Sequence, residues 1–408
     1  MTSKVVFIES SCVGGAYAAQ AAIELGYSPL FLTHPSVSQG DTRRQILNFD
    51  HIECDTHSID LMQSAISDRD LAESDFITSF SDTSLMDAVA LARRVGTKSL
   101  SPVIERLKDK GEVYEFVPEF SPPSVQFSAR HIPHEPIKEL FQHCETVIVK
   151  ARRASGGLGT ITLNSPDEVR RLNSLIPVSA IPDHLAPDLW LAQGFVNGEL
   201  VSLEGYVFDS APRFLGFSGR KKIGMSESRI IFPWDERISE DARAEAKVAA
   251  SRLIARSGFN NGYFHIEFMV RGERAFLIDA NMGRIGGGGL GEQIAISYGI
   301  TPTALHSHIL ALSLEGRDLG GGLFSESRRP TISAMYGIPV EAELKSVQLP
   351  DPFNCLHTQI LDAGQVVAPM GQDNYAWVGI VSGESENVLR EAPGIKILTS
   401  EGEFTAVF

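Results

Sequence analysis

The first 33 residues alternate between a short apolar run, a turn of small residues and an alanine-rich stretch. Residues 5–8 are consecutively apolar, which is typical of a strand buried on both faces. Residues 16–25 predict a helix that ends before a glycine, and residues 29–33 predict the next strand. A strand, a helix and a second strand at this spacing predict a parallel sheet with a right-handed crossover.

The length of the chain exceeds what one hydrophobic core normally accommodates. The chain has 408 residues, of which 43% are hydrophobic. Single cores stop growing near roughly 250–300 residues, so we expect two or three domains. The alternation of strands and helices continues over residues 76–95, prolines punctuate residues 118–133, and the chain is β-rich beyond residue 322. These changes predict a mixed α/β fold.

Charge and cysteine content exclude several classes of protein. The net charge of −15 repels phosphate backbones, so we expect no nucleic-acid partner. Residues 1–8 lack the apolar region of a signal peptide, and no apolar run approaches the ~20 residues that span a bilayer. The four cysteines are far apart and form no CxxC pair. We therefore expect no membrane partner and a reducing, cytoplasmic setting.

Polar side chains interrupt a predicted β-hairpin over residues 262–280. Residues two apart on a strand share a face, so His265 and Glu267 point one way, as do Asp279 and Asn281. If the hairpin folds back at its turn, Glu267 and Asp279 lie close together, and something must neutralise them. Two carboxylates and one amide oxygen suit Mg²⁺. The alternative is a solvent-facing strand with ordinary charges.

Four consecutive glycines, residues 286–289, follow this hairpin. They cost chain entropy, so the close approach of the backbone to a ligand is a better reason for them than a simple loop. Arg284 precedes them and could offset charge on a phosphoryl group. A helix is predicted to begin near Leu290, where free N–H groups could bind an oxyanion.

Two further segments have the residue types of a nucleotide site. Lys150 ends a predicted strand and precedes a glycine-rich loop at 155–159, with a second strand after it. This is a β-hairpin and not the strand–loop–helix of a Walker P-loop, and its backbone N–H groups could cover phosphates. Residues 192–199 could read an adenine edge through the backbone, with Glu199 at the ribose. Ordinary surface hairpins remain the alternative for both segments.

The order of these segments resembles that of the ATP-grasp superfamily over roughly residues 1–330. It most resembles the branch of L-amino acid ligases, which make dipeptides. The resemblance implies an α/β protein with a parallel N-terminal α/β domain at 1–112. An ATP-grasp domain at 113–325 would follow, with a smaller lobe near 125–195 and a larger lobe near 196–325. A β-rich C-terminal domain would occupy 326–408.

The resemblance also implies roles for individual residues. Phosphates of ATP would contact the lysines and the glycine hairpin, namely Lys110, Lys150, Ser155, Gly156 and Gly157. Adenine and ribose would contact Gln193, Phe195 and Glu199. Two Mg²⁺ ions, for which Mn²⁺ can substitute, would bind Glu267, Asp279 and Asn281, and Arg284 would act with Lys150 in catalysis. His265 would lie near the nucleotide or the amine, although a hydrogen-bonded strand histidine is the alternative.

Three points of the sequence depart from the family pattern or leave it open. Met282 and Gly283 both stand between Asn281 and Arg284, where the family usually has one residue, which leaves the role of Arg284 open. Asp279 stands where glutamate is common. Lys108 lies two residues from Lys110, so either could contact phosphate.

The reaction implied is ATP-dependent formation of an amide from a small carboxylic or amino acid and an amine, through an acyl phosphate. The family also favours a homodimer. The alternatives are a carboxylase or purine-pathway enzyme of the same superfamily, or a nucleotide-binding module without catalysis. A dinucleotide site at residues 10–15 is not expected, because GxGxxG spacing is missing.

Substrate contacts are the least constrained part of the prediction. A carboxylate of the acceptor substrate would need a cation, and four cations lie in one segment before the hairpin: Arg220, Lys221, Lys222 and Arg229. A solvated basic loop is the alternative. Asn374, Tyr375 and Trp377 are predicted either to line the cleft or to pack in the core.

Overall fold

A parallel sheet opens the chain. The computed structural model describes residues 2–10, 13–37, 39–154, 156–182, 185–324 and 327–408. The first elements are β1 (Lys4–Ile8), α1 (Gly15–Glu24), β2 (Ser28–Thr33), α2 (Gly40–Ile46), β3 (Asp50–Glu53), α3 (Ile59–Ala65), β4 (Phe76–Thr78), α4 (Leu85–Val95), α5 (Ile104–Leu107) and α6 (Lys110–Phe116). The strands pair in parallel in the order β3-β2-β1-β4. The strand–helix–strand prediction for residues 5–33 is confirmed.

A small antiparallel sheet follows. Its elements are β5 (Ser124–Ser128), α7 (His134–Glu139), β6 (Val147–Ala151), β7 (Ile161–Leu163), α8 (Leu172–Leu175) and β8 (Leu189–Gly194). The strand order is β5-β8-β6-β7. Because β6 and β7 pair antiparallel across the glycine-rich loop, the prediction of a hairpin rather than a P-loop is confirmed.

The next part of the chain supplies the long strands. It contains β9 (Glu199–Phe208), β10 (Ala211–Ile223), β11 (Ser226–Phe232), α9 (Glu240–Ser257), β12 (Gly262–Arg271), β13 (Arg274–Met282), α10 (Leu290–Tyr298) and α11 (Pro302–Glu315). The Ser239 side chain accepts from the N–H of Ala242 at the start of α9, and Gly258 ends the helix in the left-handed conformation. The face of α9 that packs on the sheet has small buried residues, so the helix can approach the sheet closely: Ala242, Ala246, Ala249 and Ala250.

The remaining strands extend this sheet and add another. They are β14 (Thr331–Tyr336), β15 (Ala342–Gln348), β16 (Leu356–Gln359), β17 (Val366–Val367), β18 (Gly379–Glu384), β19 (Lys396–Thr399) and β20 (Gly402–Thr405), with α12 at Ser385–Glu391. The eight-stranded sheet has the order β13-β12-β9-β10-β11-β14-β18-β16, and the last sheet has the order β17-β15-β19-β20. Parallel and antiparallel sheets together confirm the predicted α/β class.

The eight-stranded sheet crosses one of the predicted domain boundaries. Strand β11 pairs with β14 over Arg229–Phe232 and Thr331–Ala334, so strands from both sides of residue 325 share one sheet. The division at residues 112 and 325 stays a prediction. One hydrophobic cluster also joins the first sheet to the large sheet, from Val5 and Phe7 to Leu203 and Phe264. No helix in the described ranges is long and apolar enough to cross a bilayer.

Candidate active site

A cavity of about 520 Å³ is lined by the loop after β4, by α6, by the β6–β7 hairpin and by strands of the eight-stranded sheet. The segment after β17 completes its wall. Most of the predicted site residues line it: Lys110, Lys150, Gly156, Gly157, His265, Glu267, Asp279, Asn281 and Arg284. These residues come from α6, the β6–β7 hairpin, β12, β13 and the following turn. Tertiary folding therefore brings together segments as far apart in sequence as Lys110 and Arg284.

The β12–β13 hairpin supplies the acidic centre of this cavity. Glu267 lies directly opposite Asp279 in the antiparallel register, and His265 lies opposite Asn281. The predicted approach of the two carboxylate-bearing residues is confirmed. Each carboxylate also has a cation beside it, since Glu267 Oε1 is 3.1 Å from Arg220 Nη2 and Asp279 Oδ2 is 3.3 Å from Lys110 Nζ. These cations offset the electrostatic repulsion between the two adjacent carboxylates.

Arg220 and His265 form a buried network with three carboxylates. Arg220 donates to Glu227 at 3.2 Å, and its Nη2 lies 2.8 Å from His265 Nε2. His265 Nδ1 lies 2.8 Å from Glu204 Oε1. Burial lowers the pKa of His265, but the charge of Glu204 and the hydrogen bonds to Glu204 and Glu267 prevail and raise it to about 9. Burial would likewise raise the pKa of Glu267, yet Arg220 and His265 hold it well below its usual range.

Arg284 reaches the cavity despite the extra residue before it. Met282 continues β13, and Gly283 turns the chain with φ +87°, where a Cβ would lie 2.5 Å from Ile104 Cδ1. The guanidinium is buried and donates from Nη2 to Asn281 Oδ1 at 2.8 Å. Its Nε donates to Asp82 Oδ1 at 3.0 Å. Arg284 therefore lies beside the predicted metal ligands, and its catalytic role remains a prediction.

The two neighbouring lysines have different surroundings. Lys108 Nζ lies 2.5 Å from Asp82 Oδ2 and does not line the cavity. Lys110 Nζ donates to Ala154 O at 2.8 Å and pairs with Asp279, so it faces the cavity. Of the two lysines, Lys110 is therefore the one that lines the cavity, and its contact with phosphate stays a prediction. Asp82 was missed by sequence reasoning, although its position just past the carboxyl end of parallel strand β4 is where ligand-binding residues gather.

Glu204 and Arg220 differ in how far the sequence indicates that they belong to the site. Glu204 is a single acid within the otherwise apolar and small run 203–208, which is an unusual place for a carboxylate without a function. Ser218 donates to it at 3.0 Å. Arg220 was considered only as one of four cations in a basic segment. Of these, Arg220 and Lys222 line the cavity, whereas Lys221 and Arg229 lie over the rings of Trp234 and Phe408.

The glycine hairpin and Lys150 form one wall. Gly156, Gly157 and Gly159 have φ between +62° and +77°, a region that favours glycine. Asn374 Nδ2 donates to Gly156 O at 2.5 Å, so the segment before β18 contacts this loop. Burial, with Lys110 nearby, lowers the pKa of Lys150 to about 7. Ser155, also predicted to contact phosphate, lies outside the described residues.

The residues predicted to contact adenine and ribose do not line this cavity. Gln193 Oε1 lies 2.9 Å from the hydroxyl of Tyr114, and Glu199 Oε1 accepts from Trp234 Nε1 at 3.0 Å. Phe195 is 44% exposed. Two apolar side chains that sequence reasoning missed, Leu200 and Ile278, do line it. The adenine and ribose assignments remain predictions.

The aromatic residues of the C-terminal part do line the cavity. Asn374, Tyr375 and Trp377 all contribute to its wall, and Trp377 is also buried in a hydrophobic cluster, so both predictions hold for Trp377 and the first holds for Asn374 and Tyr375. Trp377 Nε1 donates to Glu227 O at 2.8 Å, and its ring meets that of Tyr375 edge-on at 5.2 Å. A polar centre with an aromatic rim is a common form of small-molecule site.

The donor set at the centre fits magnesium. Glu267, Asp279 and Asn281 offer two carboxylates and one amide oxygen, the hard donors that Mg²⁺ prefers. Their oxygens now accept from or pair with Arg220, Lys110 and Arg284, positions that a cation could share or take over. Among the described residues, no group of three His, Cys, Asp or Glu side chains could hold a metal by itself. An ion here would therefore need the amide and oxygens from a bound ligand.

Comparison with solved structures identifies the fold. L-amino acid ligase from Bacillus licheniformis superposes with a TM-score of 0.71 at 13% identity, covering 96% of each chain. Phosphoribosylglycinamide synthetase from Anaerococcus prevotii gives 0.68 at 16% identity, covering 95% of each chain. The biotin carboxylase domain of Hydrogenobacter thermophilus 2-oxoglutarate carboxylase, in complex with MgADP, ADP and bicarbonate, gives 0.72 at 14% identity, covering 98% of this chain and 91% of that one.

Sequence similarity adds nothing to this result, because no family model and no curated protein matches the sequence. The likeness in structure extends over nearly the whole of each chain and includes both kinds of sheet. The chain is therefore a protein of the ATP-grasp fold.

Proposed function

We propose that this protein is an ATP-dependent ligase that joins the carboxylate of one small molecule to the amine of another. The observation that carries this proposal is the placement of Glu267 opposite Asp279, with Asn281, Lys110 and Arg284 around them in one cavity. Such a set of charges is suited to the triphosphate tail of a nucleotide and the metal that accompanies it. Amino acids or related acids are the proposed substrates.

Binding of ATP would use three walls of the cavity. Lys110 and Lys150 would contact phosphates, and the N–H groups of residues 155–157 would cover them. Leu200 and Ile278 line the cavity and offer apolar surfaces for the base, with Gln193, Phe195 and Glu199 as the proposed adenine and ribose contacts. Bound Mg²⁺, proposed as two ions on Glu267, Asp279 and Asn281, with Mn²⁺ as a substitute, would neutralise phosphate charge.

The chemistry would follow from the poor reactivity of a carboxylate, whose leaving group would be oxide. Attack of the substrate carboxylate on the γ-phosphate of ATP would give an acyl phosphate and ADP. The amine would then attack the carbonyl carbon and displace phosphate. Arg284 lies where it could stabilise the transferred group, and catalysis would be mainly positioning and charge neutralisation. The hairpin at 156–159 would keep water from the acyl phosphate.

A carboxylase is the second candidate function. The observation that favours it is the equal likeness to the biotin carboxylase domain, whose structure contains bicarbonate. A carboxylase would require bicarbonate for ATP turnover, whereas an amide-forming ligase would turn over with acid and amine alone.

The deciding experiment is a phosphate-release screen of amino acids and small carboxylic acids, singly and in pairs, with and without bicarbonate. Products would be identified by mass spectrometry, and hydroxylamine would trap an acyl phosphate as a hydroxamate. We expect phosphate release with at least one pair in bicarbonate-free buffer, and a product that has lost one water from that pair. Turnover only with bicarbonate would reject the ligase in favour of the carboxylase.

The cellular compartment and the oligomeric state of the protein are also proposals. Cys54, Cys144 and Cys355 are free thiols, which suits a reducing compartment such as the cytoplasm. The family resemblance favours a homodimer, which light scattering on the purified protein would test.

A further inference from the structure

A second cavity, of about 620 Å³, lies on the eight-stranded sheet away from the reaction cavity. It is open to solvent and is bordered by the β9–β10 hairpin, α9, the end of α10 and the chain after α11. The two cavities share no lining residue within the described ranges. Nothing in the proposed ligase chemistry uses this second cavity.

Aromatic rings form much of its wall. Phe324 meets Tyr298 edge-on with ring centroids 5.1 Å apart, and Tyr206 lies 5.8 Å from Phe324. Phe214, on β10, adds a fourth ring. Offset and edge-on rings leave both faces and edges available, so the wall suits a flat apolar group.

Two acidic residues of the cavity already accept hydrogen bonds from other residues of the chain. Asp318 accepts from His308 Nε2 at 2.9 Å and from Gly320 N at 2.7 Å. Asp235 accepts from Arg328 at 2.9 Å. The Arg328 side chain passes so close to Gly216 that a Cβ there would lie 2.1 Å from Nη1, which favours glycine at that position. These pairs fix the polar floor of the cavity and leave no free carboxylate in it.

Two cations of the cavity have no such partner. Arg213 on β10 and Lys247 on α9 form no ion pair with a carboxylate in the part of the chain that the structure describes, and Lys247 lies 5.8 Å above the ring of Phe214. The chain has 51 acidic residues and 36 Lys and Arg, so carboxylates are in surplus. Two cations left unpaired beside an aromatic cavity, in an acidic protein, point to an anionic ligand.

We infer that this cavity binds a small aromatic carboxylate, with the ring against Phe324 and Tyr298 and the carboxylate between Arg213 and Lys247. The ring would gain apolar contact, and the carboxylate would receive charge-assisted hydrogen bonds. Because the cavity is separate from the reaction cavity, such a ligand binds together with nucleotide. The inference stands whether or not the ligase activity is found.

The test uses the full chain and 2-naphthoate as the probe, titrated by calorimetry with and without saturating MgADP. We expect one site per chain whose affinity does not change with MgADP. Neutral 2-naphthalenemethanol and acetate should each bind at least about tenfold more weakly, since one lacks the charge and the other the ring. Absence of naphthoate binding at millimolar concentration, or its displacement by MgADP, would overturn the inference.

Matched variants locate the probe. Arg213→Gln with Lys247→Gln should weaken naphthoate binding roughly tenfold with only a small change in melting temperature, because neither side chain has an ion-pair partner among the described residues and Lys247 loses only its contact with the Phe214 ring. Arg243→Gln, one turn from Lys247 on α9 and outside the cavity lining, is the control and should bind as the parent does. A double variant that binds naphthoate as tightly as the parent would show that the cavity is not the site.

Discussion

At the scale of single residues, carboxylates and cations lie in pairs in the cavity that contains Glu267 and Asp279. Arg220 stands beside Glu267, and Lys110 stands beside Asp279. A cation close to a carboxylate favours its charged form, and the pKa of Glu267 is held well below its usual range by Arg220 and His265, so this proposed ligand can receive a metal without first losing a proton. Substitution of these carboxylates therefore tests the proposed site most directly.

We expect Glu267→Gln and Asp279→Asn each to lower the rate of phosphate release by at least about a hundredfold, because an amide in place of a carboxylate binds Mg²⁺ poorly. Circular dichroism and melting temperature should stay near those of the parent. Glu273→Gln, in the exposed turn of the same hairpin, is the control and should keep full activity. Parent-like phosphate release from either site variant would remove the metal assignment.

Lys150 lowers the free energy of unfolding when no nucleotide is bound, because its charge is held in a buried position beside Lys110. We expect Lys150→Met to melt at the same or a higher temperature than the parent without ligand. With MgATP, the parent should gain melting temperature and the variant should gain much less, since a ligand stabilises in proportion to its affinity. An equal MgATP-induced shift in both proteins would contradict a phosphate contact for Lys150.

The matched control for that comparison is Lys108→Met. Lys108 pairs with Asp82 and does not line the cavity. Its loss leaves the buried Asp82 with Arg284 alone, so it should lower the melting temperature without MgATP. The increment that MgATP adds should change less than it does in Lys150→Met.

Glu292 on α10 makes stability depend on pH. It is 4% exposed, and Oε1 has no hydrogen-bond partner among the described residues. Burial raises its pKa from 4.5 to about 7. Since the folded state binds this proton more tightly than the unfolded state, its contribution is full below pH 4.5 and is lost as pH rises through about 7. The loss is on the order of 3 kcal/mol.

We expect Glu292→Gln to be more stable than the parent at pH 8 and to lose less stability between pH 5 and pH 8. Urea unfolding at a series of pH values measures this difference. Glu240→Gln, at the exposed start of α9, should follow the parent curve. A parent-like pH slope in Glu292→Gln would mean that the buried carboxyl is not the group responsible.

At the scale of elements, the β6–β7 hairpin is coupled to a distant part of the chain. The Asn374 side chain donates to Gly156 O, and the hydroxyl of Tyr375 lies so near Gly156 that a Cβ there would be 2.5 Å from it. The loop over the proposed phosphate site is therefore held from the segment that precedes β18. Glycine at 156 provides both the positive φ and the room.

We expect Asn374→Ala to raise the KM for ATP roughly threefold to tenfold, since the loop loses one hydrogen bond worth about 1 kcal/mol that favours its position over the cavity. Global stability should change by less than about 1 kcal/mol. Steady-state kinetics and thermal melting measure the two effects. Gln372→Ala, an exposed side chain two residues earlier, is the control. An unchanged KM would show that this contact does not hold the loop.

At the scale of the whole molecule, the eight-stranded sheet determines where the chain can be divided. Strands β14, β18 and β16 extend a sheet that begins before residue 325, and Gln293 on α10 donates to both Ile230 O and Thr331 O. A cut at residue 325 would leave β11 as an open, apolar edge, which is prone to aggregation.

We therefore expect a chain ending at residue 325 not to fold on its own. Circular dichroism, size-exclusion chromatography and thermal melting, with the full chain under the same conditions as control, measure this. The fragment should be aggregated or lack a cooperative transition. A monomeric fragment with a cooperative melt would instead support the predicted boundary between 325 and 326.

Much of the cavity around Glu267 and Asp279 could be predicted from the sequence, because its parts form from residues close together in the chain. Glu267 and Asp279 lie opposite each other as a result of side-chain alternation and one short turn, both of which depend on a few neighbouring residues. The glycine hairpin after Lys150 was recognisable for the same reason. Asp82 and Glu204 were missed, and Arg220 was named only among four candidate cations for a substrate carboxylate, because their contacts in the fold are with residues 14 to 202 positions away in sequence.

The sequence by itself determined the parallel first sheet, the glycine hairpin and the acidic β-hairpin, since period and turn chemistry act over a few residues. Only the tertiary structure decided that Lys110 rather than Lys108 faces the cavity, and that Arg284 reaches Asn281 after a turn at Gly283. It also decided that one sheet continues past residue 325. These outcomes depend on which distant surfaces pack together, and no local pattern of residues carries that information.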